Sequence, residues 1–134
     1  MTSETLAYKL SQYQTALGRL QEAVEAENAP DNFVADSTIQ RFEFSAELAW
    51  KLLKAYLEVG GVVNISSPID AIKEANAAGL LATNGDDWAK MIRSRNFTSH
   101  TYDAQNTVAA YELIKTSYYP LLKQLNATLS AKIP

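Results

Sequence analysis

Between Asp36 and Gly60 the chain carries apolar side chains on two sides of one helix-length segment. Ile39, Phe42, Ala46, Ala49, Leu53 and Tyr56 recur at helical spacing and make one stripe. Phe44, Leu48, Leu52 and Ala55 make a second. A helix that is apolar on two sides needs two partners, so this one is central to a helical bundle or lies at an interface between copies of the chain. Ser37 and Gln40 have capping-box spacing at its start, and Gly60-Gly61 stops it, because a left-handed terminal residue costs glycine nothing sterically.

The rest of the chain supplies partners of the same kind. Leu6, Leu10, Tyr13, Leu17, Leu20 and Val24 line one face of a helix over about residues 3 to 26. "ENAPDNFVADS" breaks the pattern with Pro30 and several turn formers. "SSPIDAIKEANAAGL" reads as a short helix with Ser67 as N-cap, Pro68 at the first helical position and Gly79 as the stop. "DDWAKMIRSRNFTSH" is a fourth helix with acidic residues in its first turn, where the helix dipole favours them. Asp103 can cap a fifth, with Tyr111, Ile114, Tyr118, Leu121 and Leu125 on one face. Pro120 removes one backbone bond from that helix, so a kink is expected about one turn before it. The reading is all-α: an antiparallel up-and-down four-helix bundle with one extra short helix, as a single domain over residues 1–134, and homodimeric.

Composition removes several classes of chemistry. There is no cysteine, which excludes disulfides, thiolate metal sites and a cysteine nucleophile. A single histidine leaves no zinc-ligand cluster, and no phosphate-binding glycine loop occurs. Scattered serines without catalytic partners make no hydrolase triad. No metal and no cofactor are expected. The N-terminus "MTSETLAYKLSQYQ" lacks the pattern of a signal peptide, and no apolar run suggests a membrane span, so the expectation is a cytoplasmic protein without membrane contact. The net charge of -3 argues against a broadly basic nucleic-acid-coating surface.

The one histidine lies in "RSRNFTSHTYD", residues 93–103. Lys90, Arg93 and Arg95 cluster just before it, as a solvated helix face or a local anion site. On a continuous fourth helix Arg95 shares the inward side of Trp88, Met91 and Ile92, where a guanidinium must find an anion or a rich set of acceptors. Asn96 and His100 form a neighbouring pair one turn apart. Arg95 and His100 diverge by about 140° on an ideal helix, so a helix end near residue 100 or a second copy across a two-fold axis is needed to bring them together. Glu43 and Glu47, one turn apart on the second helix, are helix-face charges paired to Lys51 or Lys54, or the carboxylates behind the site that meet Arg95. The plain alternative is a structural one: Arg95 bridges to Glu43 or Glu47, His100 caps a carbonyl and Tyr102 packs.

"RNFTSHTY" resembles the R-x4-H-x-Y motif of bacterial HEPN toxins, including a polar residue directly after the arginine. "RFEFSAELAWKLLKAYLEVGG" and "SPIDAIKEANAAGLL" look like the corresponding regions of the nucleotidyltransferase substrate-binding proteins, a branch of that superfamily. The resemblance runs from about residue 5 to 129. It implies a homodimeric helical bundle in which the motifs of both copies meet in a cleft. It also implies a metal-independent ribonuclease, with Arg95 and His100 catalytic and Asn96 supporting them. The partner it implies is a minimal nucleotidyltransferase acting as antitoxin, which attaches adenylate to the motif tyrosine, Tyr102. RNA or a nucleotide is the expected ligand. Two rival readings remain: a non-catalytic nucleotide- or substrate-binding accessory subunit of such a transferase, and a helical interaction module with a vestigial motif.

Overall fold

The computed structural model describes residues 3–26, 32–82, 84–94 and 104–134. All secondary structure among them is helical. The elements are α1 (Ser3–Val24), α2 (Asn32–Val59), α3 (Pro68–Ala77), α4 (Gly85–Ser94), α5 (Ala104–Leu113), a π-helical turn (Ile114–Tyr118) and α6 (Tyr119–Ser130). No helix among the described residues is long and apolar enough to cross a membrane.

The stripe on α1 is buried as its spacing predicts: Leu6, Leu10, Tyr13, Leu17, Leu20 and Val24 all lie in the core. Its main partner is α2, and α6 closes its other side. Tyr13 bolts α1 to α6, its hydroxyl donating to the Leu122 carbonyl at 2.7 Å. Burial pushes the Tyr13 phenol well above its ordinary pKa, so it stays a donor.

The central position of α2 is real. It packs against α1, α3, α5 and α6 and the π turn. Ile39, Phe42, Ala46, Ala49 and Leu53 are buried, and so are Leu52 and Ala55 of the second stripe. Two expectations for α2 need correction. The helix begins at Asn32, so Ser37 and Gln40 lie inside it rather than at a capping box. Ala35 explains the difference: it is fully buried one turn before Ile39, so extending the helix backward adds an apolar contact to the same face. Phe44 is the second correction. It belongs to the second stripe by spacing, yet it is 60 % exposed.

The connections after α2 and α3 use one device twice. Val62 N–H donates to the Leu57 carbonyl and Gly61 N–H to that of Glu58, with Gly61 at φ 97. Leu80 and Gly79 repeat the pair onto Ala75 and Asn76, with Gly79 at φ 78. Both are Schellman ends, which need a left-handed residue that glycine supplies without steric strain. At the start of α3, Ser67 caps by accepting from Asp70 N–H at 3.1 Å, and Pro68 follows it. Ser66 donates to Asp70 through its hydroxyl and backbone N–H, which holds the Asp70 carboxyl below its ordinary pKa.

The short helix α4 presents Trp88, Met91 and Ile92 to the core and rests on α3. The expected fourth helix runs on to His100; residues 95–100, and the expected cap Asp103, lie outside the described residues. The last helix keeps its predicted face, with Tyr111, Ile114, Tyr118, Leu121 and Leu125 all buried. Pro120 has no N–H to give the Thr116 carbonyl. The chain accommodates this one turn earlier by widening: Tyr119 N–H reaches back five residues to the Ile114 carbonyl, and the π turn results.

Candidate functional site

The motif is flanked by two anchored elements. On its N-terminal side, Trp88, Met91 and Ile92 fix α4 in the core, while Lys90 and Arg93 are exposed on its other side. Ser94 donates its hydroxyl back to the Lys90 carbonyl at 2.9 Å. On the C-terminal side α5 lies on α2. Arg95, Asn96, His100 and Tyr102 lie between these anchors, outside the described residues.

Beside α4 is a recess of about 240 Å³ lined by Asp87, Lys90, Leu113, Ser117, Tyr118 and Leu121. The π turn contributes two of these residues, so the widening at Pro120 shapes its wall. Tyr118 stacks on Phe42 with ring centroids 5.3 Å apart. Its hydroxyl is buried and has no hydrogen-bond partner among the described residues.

The two carboxylates for which the sequence leaves open a helix-face or a site-backing role are on α2, and their relation to Arg95 falls outside the described residues. Glu43 and Glu47 are both half-buried. Glu47 lies 3.6 Å from Lys51, the pairing that its i, i+4 spacing predicts. Trp50 is seven residues beyond Glu43 and three beyond Glu47, hence on the same side of the helix. Its indole N–H is buried without an acceptor among the described residues. Among the described residues no three His, Cys, Asp or Glu side chains are placed to hold a metal ion together.

Trp50, Tyr118 and the recess at α4 escape a reading of the sequence. A tryptophan or tyrosine at core spacing looks like packing, and only coordinates reveal that its polar atom has no acceptor.

A family model described as "nucleotidyltransferase substrate binding protein like" matches residues 8–131. The chain is 34 % identical over 104 residues to a protein of Haemophilus influenzae named "Probable ribonuclease HepT", a match covering 71 % of this chain and 68 % of that one. A crystal structure from Thermus thermophilus superposes with a TM-score of 0.77 at 31 % identity, covering 87 % of this chain and 98 % of the other. A chain from a crystal structure of the toxin-antitoxin MntA-HpeT shares the fold at a TM-score of 0.80 and 15 % identity, covering 96 % of this chain and 98 % of its own. The chain belongs to the nucleotidyltransferase substrate-binding branch of the HEPN superfamily.

Proposed function

We propose that this protein is the toxin subunit of a two-component module with a minimal nucleotidyltransferase, and that it is a metal-independent endoribonuclease acting as a homodimer of antiparallel four-helix bundles. One observation carries the reading: an intact Arg95, His100 and Tyr102 spacing in a chain 34 % identical over 104 residues to a protein named as a ribonuclease. The toxin–antitoxin neighbour supports the presence of a partner.

The residues suit the chemistry. One histidine takes the proton of an RNA 2′-hydroxyl, and that oxygen attacks the adjacent phosphorus. The bond from phosphorus to the 5′-oxygen breaks, and a protonated histidine gives its proton to the leaving oxygen. A chain with one histidine supplies one imidazole for proton transfer, whereas two copies in one cleft supply one for each role. Arg95 grips the phosphate oxygens and offsets the charge that builds on them. Asn96 orients His100. In the regulatory step the Tyr102 hydroxyl attacks the α-phosphorus of ATP and pyrophosphate leaves. The adenylate then sets a negative phosphate beside Arg95, where RNA must enter.

The test is expression without the transferase. Growth arrest that His100→Ala relieves supports the toxin, and incubation with the transferase and ATP should add one adenylate at Tyr102. Label on another tyrosine defeats the regulatory half. The family's description as substrate-binding favours one second reading, a non-catalytic accessory subunit. Binding of nucleotide with no cleavage of any RNA would select it.

A further inference from the structure

Phe44 and Tyr8, 60 % and 64 % exposed, are the largest hydrophobic side chains on the described surface. Phe44 lines the groove between α1 and α2, and Tyr8 stands one helical turn before its Gln12, whose amide donates to the Tyr8 hydroxyl at 3.3 Å. Two recesses of about 420 and 260 Å³ adjoin there and share Ala16, Arg19 and Phe44 in their walls. Their other linings place Gln40 and Arg41 toward one end and Gln12 and Leu48 toward the other. Tyr8, Gln12, Thr15 and Arg19 follow one another at spacings of four, three and four along α1, so they form one rim of about 16 Å.

The exposed phenyl ring stands among two guanidinium groups, two glutamine amides and the Glu22 carboxylate. Arg41 is held in place: one of its nitrogens donates to the Arg19 carbonyl at 2.7 Å and lies 3.7 Å from Glu22. That leaves most of its five N–H donors for a ligand. Arg19 is exposed beside the ring. A flat ring open to solvent, cations at phosphate reach and amides that can meet base edges are the components with which proteins hold unpaired RNA.

We infer that the α1–α2 groove is a second subsite for single-stranded RNA: a base stacks on Phe44, Arg19 and Arg41 hold the flanking phosphates, and Tyr8, one turn beyond Gln12 on the α1 rim, offers a further stacking surface. This rests on the ribonuclease reading, and gives an acidic chain a local means of gripping RNA away from its motif. The subsite sets affinity for long strands and leaves the chemistry at the motif untouched.

The test separates binding from cutting. Binding is read by fluorescence anisotropy with a labelled, unstructured oligoribonucleotide of roughly twelve residues, in a His100→Ala background that keeps it intact. Phe44→Ala should weaken binding about tenfold, Phe44→Leu about as much, and Phe44→Trp should preserve it, because the stacking face is what counts. Arg19→Gln should flatten the salt dependence by about 0.7 in the log–log slope. With His100 restored, Phe44→Ala should cut a dinucleotide at the wild-type rate. Since Phe44 is exposed, these variants fold. Unchanged oligonucleotide affinity in both Phe44→Ala and Arg19→Gln overturns the proposal, as does a Phe44→Ala protein that binds RNA normally but no longer associates with its transferase or its second copy. If the parent cuts RNA in either case, only the groove is lost; if it neither binds nor cuts RNA, the ribonuclease reading falls as well.

Discussion

Where α1 meets α6, a buried tyrosine is bonded across the contact, whereas where the π turn meets α2 another is buried without a partner. Tyr13 gives its hydroxyl hydrogen to the Leu122 carbonyl. Tyr118 contributes its ring to a stack on Phe42, and its hydroxyl has no acceptor among the described residues. Both regions gain the apolar burial of an aromatic side chain. Only the first also turns the polar atom into a fixed link. The second lies within a turn that has already been widened to accommodate Pro120, and it faces the recess beside α4. The contact between α1 and α6 is thus tied by a buried hydrogen bond, whereas beside the helix that leads into the motif Tyr118 contributes ring packing without one among the described residues.

The largest effect should come from that second region. Trp88 is almost wholly buried, and Trp88→Ala should cost about 3–5 kcal/mol in urea unfolding, through lost burial and the cavity left behind. Because Trp88 seats α4, RNA cleavage should fall in the same variant even under conditions where it remains folded. A loss below about 1 kcal/mol would mean that α4 is not anchored as described.

The tyrosines sharpen the comparison. Tyr13→Phe should cost about 1 kcal/mol, since it removes one buried hydrogen bond and no ring. It should also change the response to base. Burial raises the Tyr13 pKa, so the stability linked to its neutral form is fully present below the ordinary value of 10.0 and is lost as the pH climbs toward the raised one. Chemical unfolding measured across that window should decline less steeply in Tyr13→Phe than in wild type. Tyr118→Phe should stay within about 0.5 kcal/mol of wild type or gain slightly, because the hydroxyl it deletes has no partner among the described residues. Equal losses at the two positions would erase the distinction between the regions.

Much of the frame is legible in the sequence because it is local or periodic. The stripe from Leu6 to Val24, the Ser67–Pro68 start and Gly79 stop of α3, and the inward face of Trp88, Met91 and Ile92 need only helical spacing and turn chemistry. The disturbance before Pro120 is legible too, although spacing alone does not tell a kink from a π turn. The start of α2 is misleading, because a local capping pattern at Ser37 competes with the burial of Ala35, a tertiary contact that prevails. Phe44 misleads in the opposite sense: helical spacing assigns it to a stripe, and whether a neighbour covers that part of the stripe depends on α1. The groove it borders joins residues more than twenty positions apart, so no motif announces it. The motif residues Arg95, Asn96, His100 and Tyr102 are proposed from spacing and resemblance, and they lie outside the described residues. On α2, the Glu47–Lys51 pair follows from helical spacing, whereas the Trp50 indole without an acceptor among the described residues does not.

The most direct measurement of the central claim is the incubation of purified protein with a panel of structured and unstructured RNAs, with and without a metal chelator. The account predicts cleavage that persists in chelator and disappears in His100→Ala, while circular dichroism of that variant stays helical. Wild-type protein that leaves every RNA intact under both conditions would contradict it.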